Sequence, residues 1–134
     1  MFAAAFDERI KVSVSNCGLS TFAKNPKRLA WARDHWYIYI PKLRAIFLND
    51  EESPFDIHEV VSLIAPRAFL NLSGLNDGTF ANNDALAELG LRVNRVYRLL
   101  DAEERVAYYL HGSAHSFLSD SRALAYAWFD KWLK

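Results

Sequence analysis

The sequence contains a single cysteine, Cys17, no excess of either charge and no long apolar run. One cysteine excludes an internal disulfide framework and a cysteine-rich zinc site. Basic and acidic side chains are equal at 16 each, so the net charge does not favour binding to nucleic acid or to an anionic membrane. The sequence also lacks a stretch of about 18 consecutive apolar residues, the usual signal of a transmembrane helix, and therefore predicts no such helix.

What the sequence does contain is apolar and aromatic, since 51% of its 134 residues are hydrophobic and 14% are aromatic. That composition is typical of a globular chain, and the length suits one domain over 1–134. Residues 1–9 (MFAAAFDER) are too short for a signal peptide and lack its basic start. They look like the last turns of a helix, which suggests a fragment or an internal start. No localisation is predicted.

Three short runs rich in β-branched or apolar residues predict strands. They are Ile10–Asn16, Arg67–Ser73 and Arg105–Leu110. An irregular, aromatic-rich insert, Leu19–Ser53, follows the first strand and includes a short helix candidate, Tyr39–Leu48. Because strands alternate with helices along the chain, we expect a parallel sheet. Both faces of a parallel sheet are normally covered and its edges are few. Three strands therefore predict part of a larger sheet, which needs further strands from elsewhere.

The predicted helices show apolar residues at helical spacing. The segments are Asp56–Ile64, Asn82–Leu100 and a final helix that ends at Leu133. Pro66 ends the first helix, and Ser119 or Asp120 caps the last. Gly90 costs the second helix roughly 1 kcal/mol relative to alanine, which predicts a kink or close packing there. The expected inner faces are Leu86, Leu89, Val93, Val96, Tyr97 and Leu100 in the second helix and Leu124, Trp128, Phe129 and Trp132 in the last.

Two of the predicted strand ends carry residues suited to acid–base chemistry. Asp77 follows the second strand in GLND, and His115 follows the third in GSAHSF. Ligands bind outside the carboxyl ends of parallel strands, where a carboxylate can accept from one imidazole nitrogen while the other acts as a base. Two plainer interpretations stay open: Asp77 as a turn residue bonded to its own backbone, and His115 as a loop histidine bonded to a carbonyl.

Six stretches carry a family resemblance over nearly the whole chain. They are Phe2–Ser15, Pro54–Phe69, Gly74–Asp77, Arg95–Glu104, Tyr109–Phe117 and Ala125–Leu133. The most specific parts are the IAPRA segment and the GSAHSF loop, and together the stretches resemble the C-terminal portion of α/β-hydrolases related to dienelactone hydrolases, prolyl-oligopeptidase-like esterases and bacterial carbohydrate esterases. The sequence departs from that group at Ser113-Ala114, where members often have glycines, and at Ala68, where many have proline.

The resemblance implies the C-terminal portion of an α/β-hydrolase fold, with about three parallel strands and flanking helices. It assigns Asp77 as the acid and His115 as the general base of a Ser-His-Asp triad, in the family's chain order. The family's Gly-x-Ser-x-Gly nucleophile precedes a helix whose tail resembles Phe2–Asp7. The nucleophile and the oxyanion-hole donors are therefore expected before Met1, so that 1–134 is a partial domain.

The implied function is a C-terminal fragment of a serine hydrolase, inactive alone, for a small-molecule ester or acyl substrate. An alternative function of a different class is a non-catalytic remnant or a binding module, whose exposed sheet edge could self-associate. An in-frame Gly-x-Ser-x-Gly directly upstream of Met1 would favour the enzyme, and a true start site without it would favour the remnant. No cofactor and no metal site are predicted.

Several other residues could take part in chemistry but carry weaker signals. Ser20 lies in GLSTF after a strand, with the order Ser20, Asp77, His115, yet Phe22 occupies the position where an elbow needs glycine. Cys17 at a strand end is more often a buried small hydrophobe than a nucleophile. His58-Glu59 lacks the second histidine of a zinc motif, which favours helix surface or packing.

The remaining candidates are aromatic or flank the histidine. Trp31, Trp36, Tyr37 and Tyr39 could line a substrate pocket or form the core of the insert. His35 has no visible partner in the sequence. Ser113 and Ser116 are expected to make local hydrogen bonds.

Overall fold

The computed structural model describes residues 1–23, 25–80 and 84–134. In these residues a parallel sheet has three strands in the order β1-β2-β3. They are β1 Val12–Asn16, β2 Ala68–Gly74 and β3 Val106–His111. Leu70 lies between Val14 on one side and Ala107 on the other, so strands that follow one another in the chain are neighbours. The predicted parallel sheet is confirmed.

Helices occupy the connections between the strands. The α-helices are α1 Phe2–Phe6, α2 Arg44–Leu48, α3 Ile57–Ser62, α4 Ala85–Leu99 and α5 Ser119–Trp132, and the 3-10 turns are Arg28–Ala32, Pro41–Leu43 and Glu103–Arg105. The helix predicted over Tyr39–Leu48 is shorter than expected. A 3-10 turn begins at Pro41, whose missing N–H is tolerated only in a first turn, and α2 itself begins at Arg44. The start predicted for α4, Asn82, lies outside the described residues. None of the described helices is long and apolar enough to cross a bilayer.

The central strand β2 is buried along its whole length and divides the core into two layers. Phe69 points into the larger layer, which is formed with residues of α1, α3, α4 and the insert. Leu70 and Leu72 point to the opposite face, where Ala125 and Trp128 of α5 pack against them. Alternate side chains of a strand face opposite sides, so β2 serves both layers. A sheet covered by helices on both faces is the layered α/β architecture that the sequence predicts.

The inner face predicted for α4 is correct over most of the helix. Leu86, Leu89, Val93 and Tyr97 are buried, whereas Val96 is only partly buried and Leu100, just past the helix end, is exposed. A Cβ added at Gly90 would lie 3.2 Å from the ring of Tyr108. Close packing against β3 is therefore the reason for this helical glycine.

Two predictions for α5 are wrong. Leu118 occupies the N-cap position and no side chain caps the helix, so neither Ser119 nor Asp120 is the cap. Leu124 is 42% exposed. The buried stripe is centred on Ser121 and Ala125, with the partly buried Trp128, Phe129 and Trp132 further along. Among the described residues α5 packs mainly against β1 and β2, so the sheet covers a narrower stripe than the apolar pattern suggests.

The insert builds an aromatic core around Phe22, which is buried. Its ring makes edge contacts with Trp31, Phe47 and Phe55 at centroid distances of 5.8, 5.4 and 5.8 Å. These contacts join the insert to the larger core layer and fix its position beside the carboxyl ends of the strands.

Asp56 ties the insert to α3. Its carboxylate accepts the Ile57 amide at 2.6 Å, the Phe22 amide at 2.8 Å and the Ala23 amide at 3.1 Å. Glu59 accepts the Asp56 amide in return and completes a capping box. One side chain therefore satisfies backbone donors of both segments.

Replacing Asp56 with alanine should lower the free energy of unfolding by about 2 kcal/mol, because a helix cap and two further amide partners are lost together. Urea denaturation followed by circular dichroism measures the change. Asp130→Ala is the control, since Asp130 is an exposed acidic residue of α5 and its loss should stay within about 0.5 kcal/mol. Equal losses in the two variants would show that Asp56 has no special structural role.

Candidate active site

The ends of β2 and β3 bring Asp77 and His115 together. Gly74, the last residue of β2, lies beside His111, the last residue of β3, so the loops that follow start at the same edge of the sheet. His115 Nδ1 and Asp77 Oδ2 are 2.8 Å apart. The contact that the sequence predicts between these two side chains is present in the structure.

Backbone contacts hold the two loops against each other. The backbone amides of Leu75 and Asn76 donate to the carbonyls of His111 and Ser113 at 2.8 and 3.3 Å. The Asn76 side chain adds a bond from Nδ2 to the Gly112 carbonyl at 2.7 Å. The Asp77 carboxylate is further fixed by the amides of its own turn. The Asp–His pair therefore rests on main-chain geometry at both ends.

The environment of Asp77 keeps its carboxyl ionised. The residue is 4% exposed, and its Oδ1 accepts the amides of Thr79 and Phe80 at 2.8 and 3.2 Å. Burial by itself raises the pKa of this carboxyl, but the hydrogen bonds from His115 and from the two amides outweigh it, so the pKa of Asp77 lies below its usual value. A buried carboxylate of this kind can orient an imidazole and stabilise its protonated form.

His115 is more open, with 47% of its side chain exposed. The Phe80 ring stacks on the imidazole at a centroid distance of 5.7 Å and an interplanar angle of 24°. When Nδ1 donates to Asp77, Nε2 carries the lone pair. The pair thus combines a buried, fixed carboxylate with a half-exposed imidazole.

The end of β1 supports the histidine loop from the other side. The side-chain Nδ2 of Asn16 donates to the Ser116 carbonyl at 3.3 Å, and the Cys17 sulfur lies 3.5 Å from the same oxygen. Cys17 is 2% exposed, as expected for a buried small side chain. Its sulfur, one Asp77 oxygen and one His115 nitrogen all lie within 4.8 Å of one another, a proximity that the sequence does not reveal.

An open cavity of about 370 Å³ lies beside the pair, and Phe80 forms a wall between them. Trp31 and Tyr39 add aromatic surface to the lining, and Lys27 and Arg33 add positive charge. Trp36 and Tyr37, in contrast, are exposed and stack on each other. The four aromatic residues of the sequence pattern are therefore divided between the cavity and the surface.

The other candidate residues have local roles in the structure. Ser20 lines the cavity but is buried, and its hydroxyl accepts from Asn25 Nδ2 at 2.8 Å. Ser116 donates to the Ala114 carbonyl at 3.3 Å, the local bond that was expected.

Two further histidines make hydrogen bonds through Nδ1. His35 does have a partner, because its Nδ1 lies 2.6 Å from Asp34 Oδ1 on the surface, and the prediction for it is wrong. His111 is a buried residue that sequence reasoning missed, and its Nδ1 accepts the Ser113 amide at 3.3 Å. The only sequence signal for His111 is its position at the end of a strand.

No protein-family model matches the sequence, and no curated protein is found as a relative. Solved structures do match. A carbohydrate esterase family 15 glucuronoyl esterase from Caldicellulosiruptor kristjansonii is 21% identical with a TM-score of 0.72, over 96% of this chain and 38% of the other. The glucuronoyl esterase catalytic domain from Hypocrea jecorina is 16% identical with a TM-score of 0.76, over 98% and 40%. A promiscuous esterase of family 15 from a marine bacterial metagenome is 19% identical with a TM-score of 0.77, over 96% and 38%.

These neighbours are α/β-hydrolases, and the chain has the architecture of the C-terminal portion of that fold. The fold that the sequence resemblance implies is thereby confirmed. The chain spans only 38–40% of the length of these neighbours.

Proposed function

We propose that this chain is the C-terminal part of a serine hydrolase that cleaves esters, and that it supplies Asp77 and His115 as the acid and the base of a Ser-His-Asp triad. The observation that carries the proposal is the 2.8 Å contact between His115 Nδ1 and Asp77 Oδ2 at the carboxyl ends of adjacent strands. The esterase names of the structural neighbours agree with it.

In this mechanism a serine hydroxyl from a segment before Met1 attacks the ester carbonyl. Nε2 of His115 takes the hydroxyl proton and returns it to the leaving alcohol, and the same nitrogen then activates the water that releases the acid. Asp77 holds Nδ1–H in place and stabilises the imidazolium that forms in each step. The oxyanion-hole donors also come from outside the 134 residues.

The cavity beside the pair suits a sugar ester. Trp31 and Tyr39 offer ring surface to the apolar face of a sugar, and Lys27 and Arg33 offer donors and positive charge to its hydroxyl or carboxyl groups. A glucuronoyl ester, the substrate that the neighbours' names give, is the substrate class that we favour.

The chain alone should be inactive, because it lacks the nucleophile and the oxyanion hole. Incubation of the purified chain with p-nitrophenyl acetate should give no hydrolysis above buffer, and a fluorophosphonate probe should label no serine. Mass spectrometry of the probed chain identifies any modified residue. Labelling of Ser20 would overturn this assignment and place the nucleophile within the chain.

The upstream reading frame separates the two candidate functions. An in-frame Gly-x-Ser-x-Gly shortly before Met1, with hydrolysis by the extended polypeptide, is the result that the proposal expects. An authentic start at Met1 without that motif would instead favour the non-catalytic remnant or binding module.

A further inference from the structure

The three strand ends bring together three different metal-ligand atoms. Cys17 follows β1, Asp77 follows β2 and His115 follows β3, and their sulfur, oxygen and nitrogen atoms lie within 4.8 Å of one another. We infer that these three side chains form a binding site for a divalent ion of the zinc class. The inference does not depend on the proposed hydrolase function, since it concerns only residues within the chain.

The donor set selects the class of ion. Thiolate, imidazole and carboxylate are the ligands of Zn²⁺ and of related borderline ions such as Co²⁺, whereas Mg²⁺ and Ca²⁺ prefer oxygen alone. Three protein ligands leave the fourth tetrahedral position to water, the arrangement of an open site. The thiol of Cys17 would release its proton to solvent as the Zn–S bond forms.

The distances permit such an ion with small movements. Bonds of about 2.0–2.3 Å in a tetrahedron place ligand atoms roughly 3.4 Å apart. The distance of 2.8 Å between His115 Nδ1 and Asp77 Oδ2 is shorter than this ligand–ligand spacing of roughly 3.4 Å. The largest separation among the three ligand atoms, up to 4.8 Å, is longer than it. Shifts on the order of 1 Å, within the reach of side-chain rotation, bring the three atoms to ligand spacing.

The scaffold already orients two of the ligands. The Cys17 amide donates to the Leu72 carbonyl at 2.7 Å, which holds the Cys17 backbone at the strand end, and the sulfur itself lies 3.5 Å from the Ser116 carbonyl. Asp77 Oδ1 accepts the amides of Thr79 and Phe80, so Oδ2 is the oxygen that would face the ion. Hydrogen-bonded ligands of this kind favour metal affinity. His115 is half exposed and gives the ion a route from solvent.

A bound ion would change what the Asp–His pair can do. An ion bound by His115 Nδ1 and Asp77 Oδ2 would take the place of the proton between these two atoms, and that proton would move to Nε2 of the same ring. The pair could then neither accept a serine proton nor orient the imidazole, so the metal-bound and acid–base states exclude each other. If the chain forms part of a hydrolase, zinc is expected to inhibit it reversibly.

Titration of the full, chelator-treated chain with Co²⁺ under reducing conditions tests the inference without any activity. We expect one equivalent to bind with a near-ultraviolet thiolate-to-cobalt charge-transfer band and with intense visible bands of tetrahedral Co²⁺, all displaced by Zn²⁺. Cys17→Ser should remove the charge-transfer band. His115→Gln and Asp77→Asn should each weaken Co²⁺ binding at least about tenfold.

His35→Gln is the matched control, because His35 also pairs with an aspartate but on the surface, and it should leave the titration unchanged. Far-ultraviolet circular dichroism verifies that each variant is folded. Absence of the charge-transfer band in the folded chain would overturn the inference, as would a band unaffected by both His115→Gln and Asp77→Asn. Neither result would affect the proposed triad, which is tested by hydrolysis.

Discussion

If the proposed triad is completed by a Gly-x-Ser-x-Gly segment upstream, His115→Gln in that extended polypeptide should lower kcat/KM for an ester substrate by at least about a thousandfold. Glutamine has no titratable nitrogen, so no group at this position could take the serine proton. Steady-state hydrolysis of p-nitrophenyl acetate and of a glucuronoyl ester gives the ratio. The loss should lie in kcat more than in KM, because a base acts in the transition state.

Asp77→Asn should lower kcat by about 10⁴-fold, since an asparagine at this position favours the wrong imidazole tautomer. The matched control is His35→Gln, which breaks a His–Asp contact of 2.6 Å on the surface and should change kcat less than about twofold. An extended enzyme that keeps a tenth of its activity after His115→Gln would have its base elsewhere, and the assignment of His115 would then be wrong.

The approach of Asp77 and His115 could be predicted because it depends on order along the chain. Each residue follows a predicted strand directly, and consecutive parallel strands lie side by side. The resemblance pointed to the same residues. The local strand pattern and the rule that consecutive parallel strands are neighbours were therefore enough to predict that Asp77 and His115 lie close together.

The position of Cys17 could not be predicted in the same way. Its sulfur reaches the pair because β1 pairs with β2 in the register that aligns Asn16 with Leu72, and because Cys17 adopts a left-handed backbone conformation with φ of 49°. Neither the register nor a positive φ at a non-glycine residue has a sequence signal here. A single cysteine also has no spacing pattern that would indicate a ligand.

The insert shows the same limit of local patterns. Trp36 and Tyr37 also have positive φ values, of 41° and 52°, and both end at the surface, whereas Trp31 and Tyr39 line the cavity. Aromatic content alone left pocket and core as equal alternatives. Contacts between residues distant in the sequence, such as that of Trp31 with Phe80, decide which rings line the cavity and which lie on the surface.

Replacing Gly74 with alanine should lower the free energy of unfolding by about 3 kcal/mol and separate Asp77 from His115. A Cβ at this position would lie 2.3 Å from the Ser113 carbonyl oxygen and 2.6 Å from that of Ala114. Both atoms belong to the backbone of the histidine loop, so no rotamer change could relieve the overlap and the loop itself must move.

Urea denaturation measures the first effect, and the hydrogen-bonded Nδ1 proton of His115, observed by NMR in the unmodified chain and lost in Gly74→Ala, reports the second. Gly112→Ala is the matched control. Gly112 lies in the histidine loop that Gly74 approaches, a Cβ there would meet no atom within 4 Å, and Gly112 has no positive φ. The free energy of unfolding of the Gly112→Ala variant should stay the same or rise by a few tenths of a kcal/mol, since alanine restricts the unfolded chain. Equal losses at the two glycines would mean that general backbone stiffening, and not the close approach of the two loops, determines the geometry of the Asp77–His115 pair.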